Sequence, residues 1–347
     1  MNNKKTMAFV YTLLHFLVDF TTVFLISGIL LGPRVGIVNR GYVIIVYNII
    51  AFAGQLPIGI ISDFINKNRI IVALGCIMAA VAYPVSFVLP WTACILAALG
   101  NGAFHIGAGS DILKMCMPKA GLSGLFVSSG ALGVWLAYKA GGDIIIWLCP
   151  AIMLIAAVCL IFLIKHEDQI EIPTQIKYDK IKPVILVAVA CFMLTIVIRS
   201  LLGMAMDFSW KSVPALSFLF VVAVAGGKAM GGFLGDRLGY IKTAVVSLAI
   251  SLVSSVFAFD YWAMGIIAVL CFNMTMPLTL TAIASVCNKK YGFAFGLTTF
   301  ALAIGFIPVV LGANDWFGIP LFAGGVAASL LLLVVGYVIL EKHEDEE

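Results

Sequence analysis

Apolar residues fall in twelve blocks of about twenty along this 347-residue chain. A helix needs about twenty apolar residues to cross the hydrocarbon core of a bilayer, which is roughly 30 Å thick. Only 11% of the residues are charged and 63% are hydrophobic, whereas a soluble protein carries about 25% charged residues. We therefore predict an all-α polytopic membrane protein with twelve transmembrane helices. The expected helices cover 7–31, 41–61, 70–89, 91–112, 121–139, 143–164, 183–206, 212–234, 242–259, 261–285, 291–311 and 316–340.

The longest polar stretch lies near the middle of the chain and divides the predicted helices into two groups of six. We expect an N-terminal six-helix bundle at 1–165, a cytoplasmic linker at 166–182 and a C-terminal six-helix bundle at 183–347. With both termini cytoplasmic, most of the 21 Lys and Arg residues lie on the inner side. That bias follows the positive-inside rule and favours this topology.

The two predicted halves also match each other in sequence. Gly54–Asp63 aligns with Gly227–Asp236, and Gly124–Gly133 aligns with Gly296–Gly305 at nearly the same offset. Matches in helices 2 and 8 and in helices 5 and 11 indicate a parallel duplication of six helices.

The connection between helices 2 and 3 resembles the signature loop of the major facilitator superfamily, G-x-x-x-D-x-x-G-[RK]-x-[RK]. The first copy runs from Gly59 to Arg69 and has Asn66 where the family has glycine. The second copy runs from Gly232 to Lys242. The resemblance implies two pseudo-symmetric six-helix bundles and a cytoplasmic latch. The residues that we expect to form this gate are Asp63, Arg69, Asp111, Asp236 and Arg237.

A narrower resemblance is to the fosmidomycin-resistance branch of that superfamily. The matching stretches are His15–Asp19 in helix 1 and Gly100–His105 in helix 4, where Ile106 replaces the branch's proline. This resemblance implies efflux by proton antiport. The antiporter stretch typical of helix 5 is absent at Gly130–Gly133, so uptake by proton symport stays open.

Two histidines and a carboxylate stand in predicted membrane helices of the first half. His15 and Asp19 lie four residues apart and therefore share one helix face. A histidine beside a carboxylate can relay a proton near neutral pH, so we expect this pair to couple transport to protons. A buried hydrogen-bonded pair with a purely structural role is the alternative. Asn101 and His105 repeat the spacing in helix 4 and are candidates for substrate binding, or for packing alone.

The second half carries intramembrane cations. Lys228 lies eight residues before Asp236, roughly 12 Å along the helix, and we expect it to bind an anionic substrate group or to pair with Asp19. Arg199 is a second candidate for substrate binding, with snorkelling towards the outer interface as its alternative. Asn273 is a candidate neutral hydrogen-bonding partner of the substrate.

An enzyme is not expected. Gly121–Gly124 resembles the serine motif of intramembrane proteases, but the later histidines, His166 and His343, lie in the linker and the tail. The chain has no H-E-x-x-H zinc motif and no Walker-type phosphate loop. We expect no cofactor, no metal and no nucleic acid.

These features predict a secondary active transporter that moves a small organic molecule, an anion or a drug, by alternating access. Its expected partners are the substrate, protons and the lipid bilayer, and we expect a multi-pass monomer in a bacterial plasma (inner) membrane. A transporter-like sensor or assembly protein that does not transport is the rival class.

Overall fold

The computed structural model of the chain describes residues 3–37, 39–163 and 183–344. Within these ranges it contains twelve helices that are long and apolar enough to cross a membrane. The prediction of an all-helical, multi-pass membrane protein is confirmed. The predicted linker at 166–182 lies outside the described residues. The helices, numbered in chain order, are α1 Lys4–Leu30, α2 Arg40–Ile65, α3 Asn68–Ser86, α4 Pro90–Cys116, α5 Gly121–Lys139, α6 Asp143–Phe162, α7 Pro183–Ala205, α8 Pro214–Leu238, α9 Tyr240–Phe257, α10 Trp262–Val286, α11 Tyr291–Val310 and α12 Ile319–His343.

Three of these helices depart from regular α-helical geometry. α1 ends in a π-helical stretch at Leu25–Leu30, and α2 contains another at Ile49–Ala53. α10 is interrupted between Asn273 and Thr275. The pattern of apolar residues along the sequence does not predict these local changes, because the residues involved all lie within hydrophobic segments.

The end of α2 lies beyond the predicted boundary at 61. The helix continues through Asp63 and stops at Asn66, whose φ of 51° and ψ of 32° place it in the left-handed region. Asparagine adopts this conformation more readily than most residues, since its short side chain can hydrogen-bond locally. The signature loop therefore turns at the position where the family has glycine.

The chain forms two compact units. Among the described residues, the first unit contains 3–37, 39–115, 129–163 and 290–300, and the second contains 116–128, 183–289 and 301–344. Each unit thus includes one short segment from the other half of the sequence. The segment in the first unit is the beginning of α11, and the segment in the second unit contains the beginning of α5. The division into halves at 1–165 and 183–347 stays a prediction.

The core of the first unit is made of apolar side chains from several helices. Phe24, Leu25 and Ile29 of α1 pack with Tyr83 of α3 and Ala97 of α4. In the second unit, α8 lies directly against the interruption of α10. A Cβ atom at Gly231 would come within 2.6 Å of the Met274 carbonyl carbon, so only glycine permits this approach.

We expect Gly231→Ala to lower the thermal unfolding temperature of the purified protein. The added methyl group must displace backbone, and such overpacking costs about 1–3 kcal/mol. The matched control is Gly226→Ala in the same helix, where a Cβ atom would meet nothing within 4 Å. That variant should unfold at the wild-type temperature or slightly above it. Equal unfolding temperatures for the two variants would contradict this packing.

Candidate functional site

Side chains of α1 and α4 form a polar cluster inside the first unit. The Nε2 atom of His105 lies 2.8 Å from the Nε2 atom of His15. His15 Nε2 lies 3.3 Å from Asp19 Oδ2, and His105 Nε2 lies 3.7 Å from Asp19 Oδ1. The structure thus brings the predicted pair of α1 together with the predicted histidine of α4. We call these three residues the His–Asp–His cluster.

Asn101 holds two members of this cluster in place. Its Nδ2 group donates hydrogen bonds to Asp19 Oδ1 at 2.8 Å and to Thr22 Oγ1 at 3.1 Å. Its backbone carbonyl lies 2.8 Å from His105 Nδ1. Because a carbonyl oxygen only accepts, His105 Nδ1 must carry a hydrogen, and in the neutral ring its Nε2 then acts as an acceptor. The hydrogen between the two Nε2 atoms then belongs to His15.

The His–Asp–His cluster is enclosed by protein. The relative exposures of the side chains are 6% for His15, 13% for Asp19 and 12% for His105. α5 passes close to the cluster at Gly130, where a Cβ atom would overlap the Asp19 carboxylate and lie 2.6 Å from His15 Nε2. Ionisable groups at such depth are costly and mark pathways for ions or substrates in membrane proteins.

The signature aspartate of the first sequence copy caps α11. Asp63 Oδ1 accepts a hydrogen bond from the Gly292 amide and Oδ2 accepts one from the Phe293 amide, each at 2.8 Å. These amides belong to the first turn of a helix, where N–H groups have no partner within the helix. A carboxylate at this end is also favoured by the helix dipole. We call this contact the Asp63 cap.

The signature aspartate of the second copy makes the equivalent contact on α5, within the second unit. Asp236 Oδ1 accepts from the Ala120 amide at 2.7 Å, and Oδ2 accepts from the Gly121 amide at 2.9 Å. The Tyr240 hydroxyl donates to the Pro118 carbonyl at 2.6 Å. We call the two hydrogen bonds that Asp236 accepts from Ala120 and Gly121 the Asp236 cap. In each cap an aspartate from one sequence half binds a helix start from the other half.

The remaining predicted gating residues have different surroundings. Asp111 accepts hydrogen bonds from the Tyr11 hydroxyl at 2.8 Å and from Asn68 Nδ2 at 2.7 Å. Lys114 donates to Asn66 Oδ1 at 2.8 Å. Arg69 is buried and Arg237 is exposed. Asp111 is thus joined to α1 and to the beginning of α3.

The predicted substrate-binding residues of the second half lie in the second unit. Arg199 of α7 is only 7% exposed, and its Nη1 donates to Thr279 Oγ1 of α10 at 3.2 Å. Among the described residues, its guanidinium makes no other hydrogen bond or ion pair. Lys228 is half-buried in α8. Asn273 donates to the Val269 carbonyl of its own helix at 2.8 Å, next to the interruption of α10.

Several residues of these sites were not predicted. These residues belong to the sites because of contacts between segments distant in sequence, and they are Tyr11, Asn68, Gly130 and Gly292. Asn68 alone had a local signal, because it lies within the signature loop.

Comparison with solved structures identifies the fold. A major facilitator superfamily transporter, FucP, in the outward conformation has a TM-score of 0.67 at 13% identity, covering 95% of this chain and 98% of that one. The E. coli fucose:proton symporter FucP, in a second structure, gives 0.61 at 15% identity, covering 96% and 97%. A bacterial homologue of the iron transporter ferroportin, soaked with iron, gives 0.62 at 15% identity, covering 99% of each chain. The fold is therefore that of the major facilitator superfamily.

No protein-family profile matches the sequence, and no curated protein matches it.

We expect Asp63→Ala to speed hydrogen–deuterium exchange at Gly292 and Phe293, and Asp236→Ala to do so at Ala120 and Gly121. Losing a helix cap costs about 1–2 kcal/mol, which is roughly a 5- to 30-fold faster exchange. Mass spectrometry of the peptides that contain these amides measures the change.

The matched control for both caps is Asp260→Ala. Asp260 is exposed and accepts no hydrogen bond from the described part of the chain. This variant should leave exchange at both helix starts unchanged. Wild-type exchange at α11 in Asp63→Ala would contradict the Asp63 cap.

Proposed function

We propose that this chain is a secondary active transporter that moves a small organic solute by alternating access. The observation that carries the proposal is the pair of caps, in which Asp63 and Asp236 each bind two helix-start amides from the other sequence half. A contact repeated at both sequence copies is suited to close and open one end of a two-bundle carrier. The solved structures of the same fold include transporters, which supports the same class.

The strength of the caps fits a reversible gate. Losing one cap costs about 1–2 kcal/mol, so the two caps together contribute about 2–4 kcal/mol. Moving a two-state equilibrium from 1:99 to 99:1 takes about 5.5 kcal/mol of differential binding. Binding of a solute or an ion can therefore supply enough free energy to open such a gate. We place this gate on the cytoplasmic side, where the predicted topology puts both signature loops.

The His–Asp–His cluster is proposed as the site of the coupled cation. It combines a carboxylate with two imidazoles in enclosed surroundings, so a cation bound there is stabilised by Asp19 and shielded from water. The sequence favours a proton as this cation, and one solved structure of the same fold is described as a fucose:proton symporter. The resemblance to resistance proteins favours efflux, with uptake as the alternative direction.

The solute is proposed to be a small organic anion. A buried guanidinium with a single described hydroxyl partner leaves donors available for a carboxylate or phosphate. Arg199 is therefore the residue that we expect to contact the anionic group. Lys228, which is half-buried, and Asn273 are the further candidates.

The test uses the purified full chain in liposomes that contain a pH-sensitive dye and are offered a panel of small carboxylates and phosphates. Wild type should move protons when a transported solute is present. Asp19→Asn should abolish solute-dependent proton movement, and Asp260→Asn should not affect it. Arg199→Gln should raise the half-saturating solute concentration about 10- to 100-fold, because a charged hydrogen bond of about 1.5–3 kcal/mol is lost.

Two outcomes would contradict this proposal. Proton movement that persists in Asp19→Asn would show that the cluster does not couple protons to solute transport. If no solute gives flux while hydrogen exchange shows that the caps still open, the result would favour the sensor or assembly role.

A further inference from the structure

The donor atoms of the His–Asp–His cluster have the spacing of metal ligands. One donor from each of the three residues lies within 4.8 Å of the others. The two histidine Nε2 atoms are 2.8 Å apart, Asp19 Oδ2 lies 3.3 Å from His15 Nε2, and Asp19 Oδ1 lies 3.7 Å from His105 Nε2. A metal about 2.1 Å from each ligand needs donors about 3.0 Å apart in octahedral geometry, or about 3.4 Å apart in tetrahedral geometry. The three observed separations, which involve both oxygens of Asp19, lie close to these values.

The surroundings of the cluster orient its donors toward one point. His105 Nδ1 donates to the Asn101 carbonyl, which leaves Nε2 with its lone pair directed at His15 and Asp19. Asn101 Nδ2 donates to Asp19 Oδ1 and fixes the carboxylate. Histidine and carboxylate ligands of protein-bound metals are typically held by such outer hydrogen bonds. Asn101 is thus a positioning residue for both.

The backbone of α5 lies directly beside these donors at Gly130. Gly130 has no side chain where a Cβ atom would overlap the Asp19 carboxylate and crowd His15 Nε2. Two imidazole nitrogens and one carboxylate oxygen suit first-row transition metals, whereas calcium and magnesium prefer oxygen ligands.

We propose that the His–Asp–His cluster binds one divalent first-row transition-metal ion. The ligands are His15 Nε2, His105 Nε2 and a carboxylate oxygen of Asp19. The hydrogen on His15 Nε2 must leave that atom when the ion binds, and the neutral ring carries one on Nδ1 instead, so binding by two neutral histidines releases no net proton. This inference rests on the proposed function in one respect, because the proposed function assigns the coupled cation to the same cluster.

The test is a titration of the full chain, purified without a polyhistidine tag and held in lipid nanodiscs, with Co²⁺. Calorimetry should give one ion per chain, and visible ligand-field absorption should report nitrogen and oxygen ligation. Asp19→Asn and His105→Gln should each weaken binding by more than about 100-fold, and Asn101→Ala by about 10- to 100-fold. Gly130→Ala keeps every ligand but forces the Asp19 carboxylate and the His15 ring to move, and it should also weaken binding. His166→Gln is the histidine control and should bind as wild type does.

Wild-type protein that shows no Co²⁺ heat and no ligand-field band would overturn the proposal. Wild-type affinity in both Asp19→Asn and His105→Gln would overturn it too, since the ion would then lie elsewhere. If these variants fail to fold, the ligand-field spectrum of wild type decides the question: bands typical of mixed nitrogen and oxygen ligation support the site, and bands typical of oxygen ligands alone overturn it. Co²⁺ binding without any solute flux would support the metal site and contradict the proposed transport. Solute flux without Co²⁺ binding would support transport and contradict the metal site.

Discussion

The contact between a carboxylate and the free amides of a helix start occurs twice and joins segments from opposite halves of the sequence. Asp63 binds the beginning of α11 and Asp236 binds the beginning of α5. Helix-start amides need an acceptor wherever water is scarce. A carboxylate from another segment satisfies that need with hydrogen bonds alone. Because no covalent bond is involved, the contact can break and form again, and the proposed transport cycle depends on it.

The second constraint is the free energy of placing ionisable groups inside a membrane protein. Asp19 costs about 2.5–3.5 kcal/mol at a helix centre on insertion scales. The structure offsets this cost with His15, His105 and Asn101, all of which contact or approach its carboxylate. Such an arrangement stabilises a bound cation more than it stabilises the fold, since apolar residues of similar volume pack without the cost. The same residues therefore serve the proposed coupling and the inferred metal site.

The sequence predicted the elements of this protein better than their contacts. Apolar blocks are local, so the twelve helices followed from them, and the i, i+4 spacing placed His15 and Asp19 on one face. The partners of Asp63 could not be predicted, since Gly292 lies more than two hundred residues away and glycine has no chemical signal of its own. Asp111 was predicted as a gating residue, and its hydrogen bond from Tyr11 depends on how α1 and α4 pack. The closeness of Gly130 to Asp19 likewise depends on helix packing.

The proposal that both caps open in one conformational change is tested most directly by weakening one cap and measuring the other. In the full chain in lipid nanodiscs, Asp63→Ala removes the acceptor at α11, and hydrogen exchange is followed at Ala120 and Gly121 under the Asp236 cap. If one transition opens both, exchange at these two amides should also accelerate, by a smaller factor than at Gly292 and Phe293, whose acceptor the substitution removes. Unchanged exchange at Ala120 and Gly121 would show that the caps open independently, and would contradict the account of them as one gate.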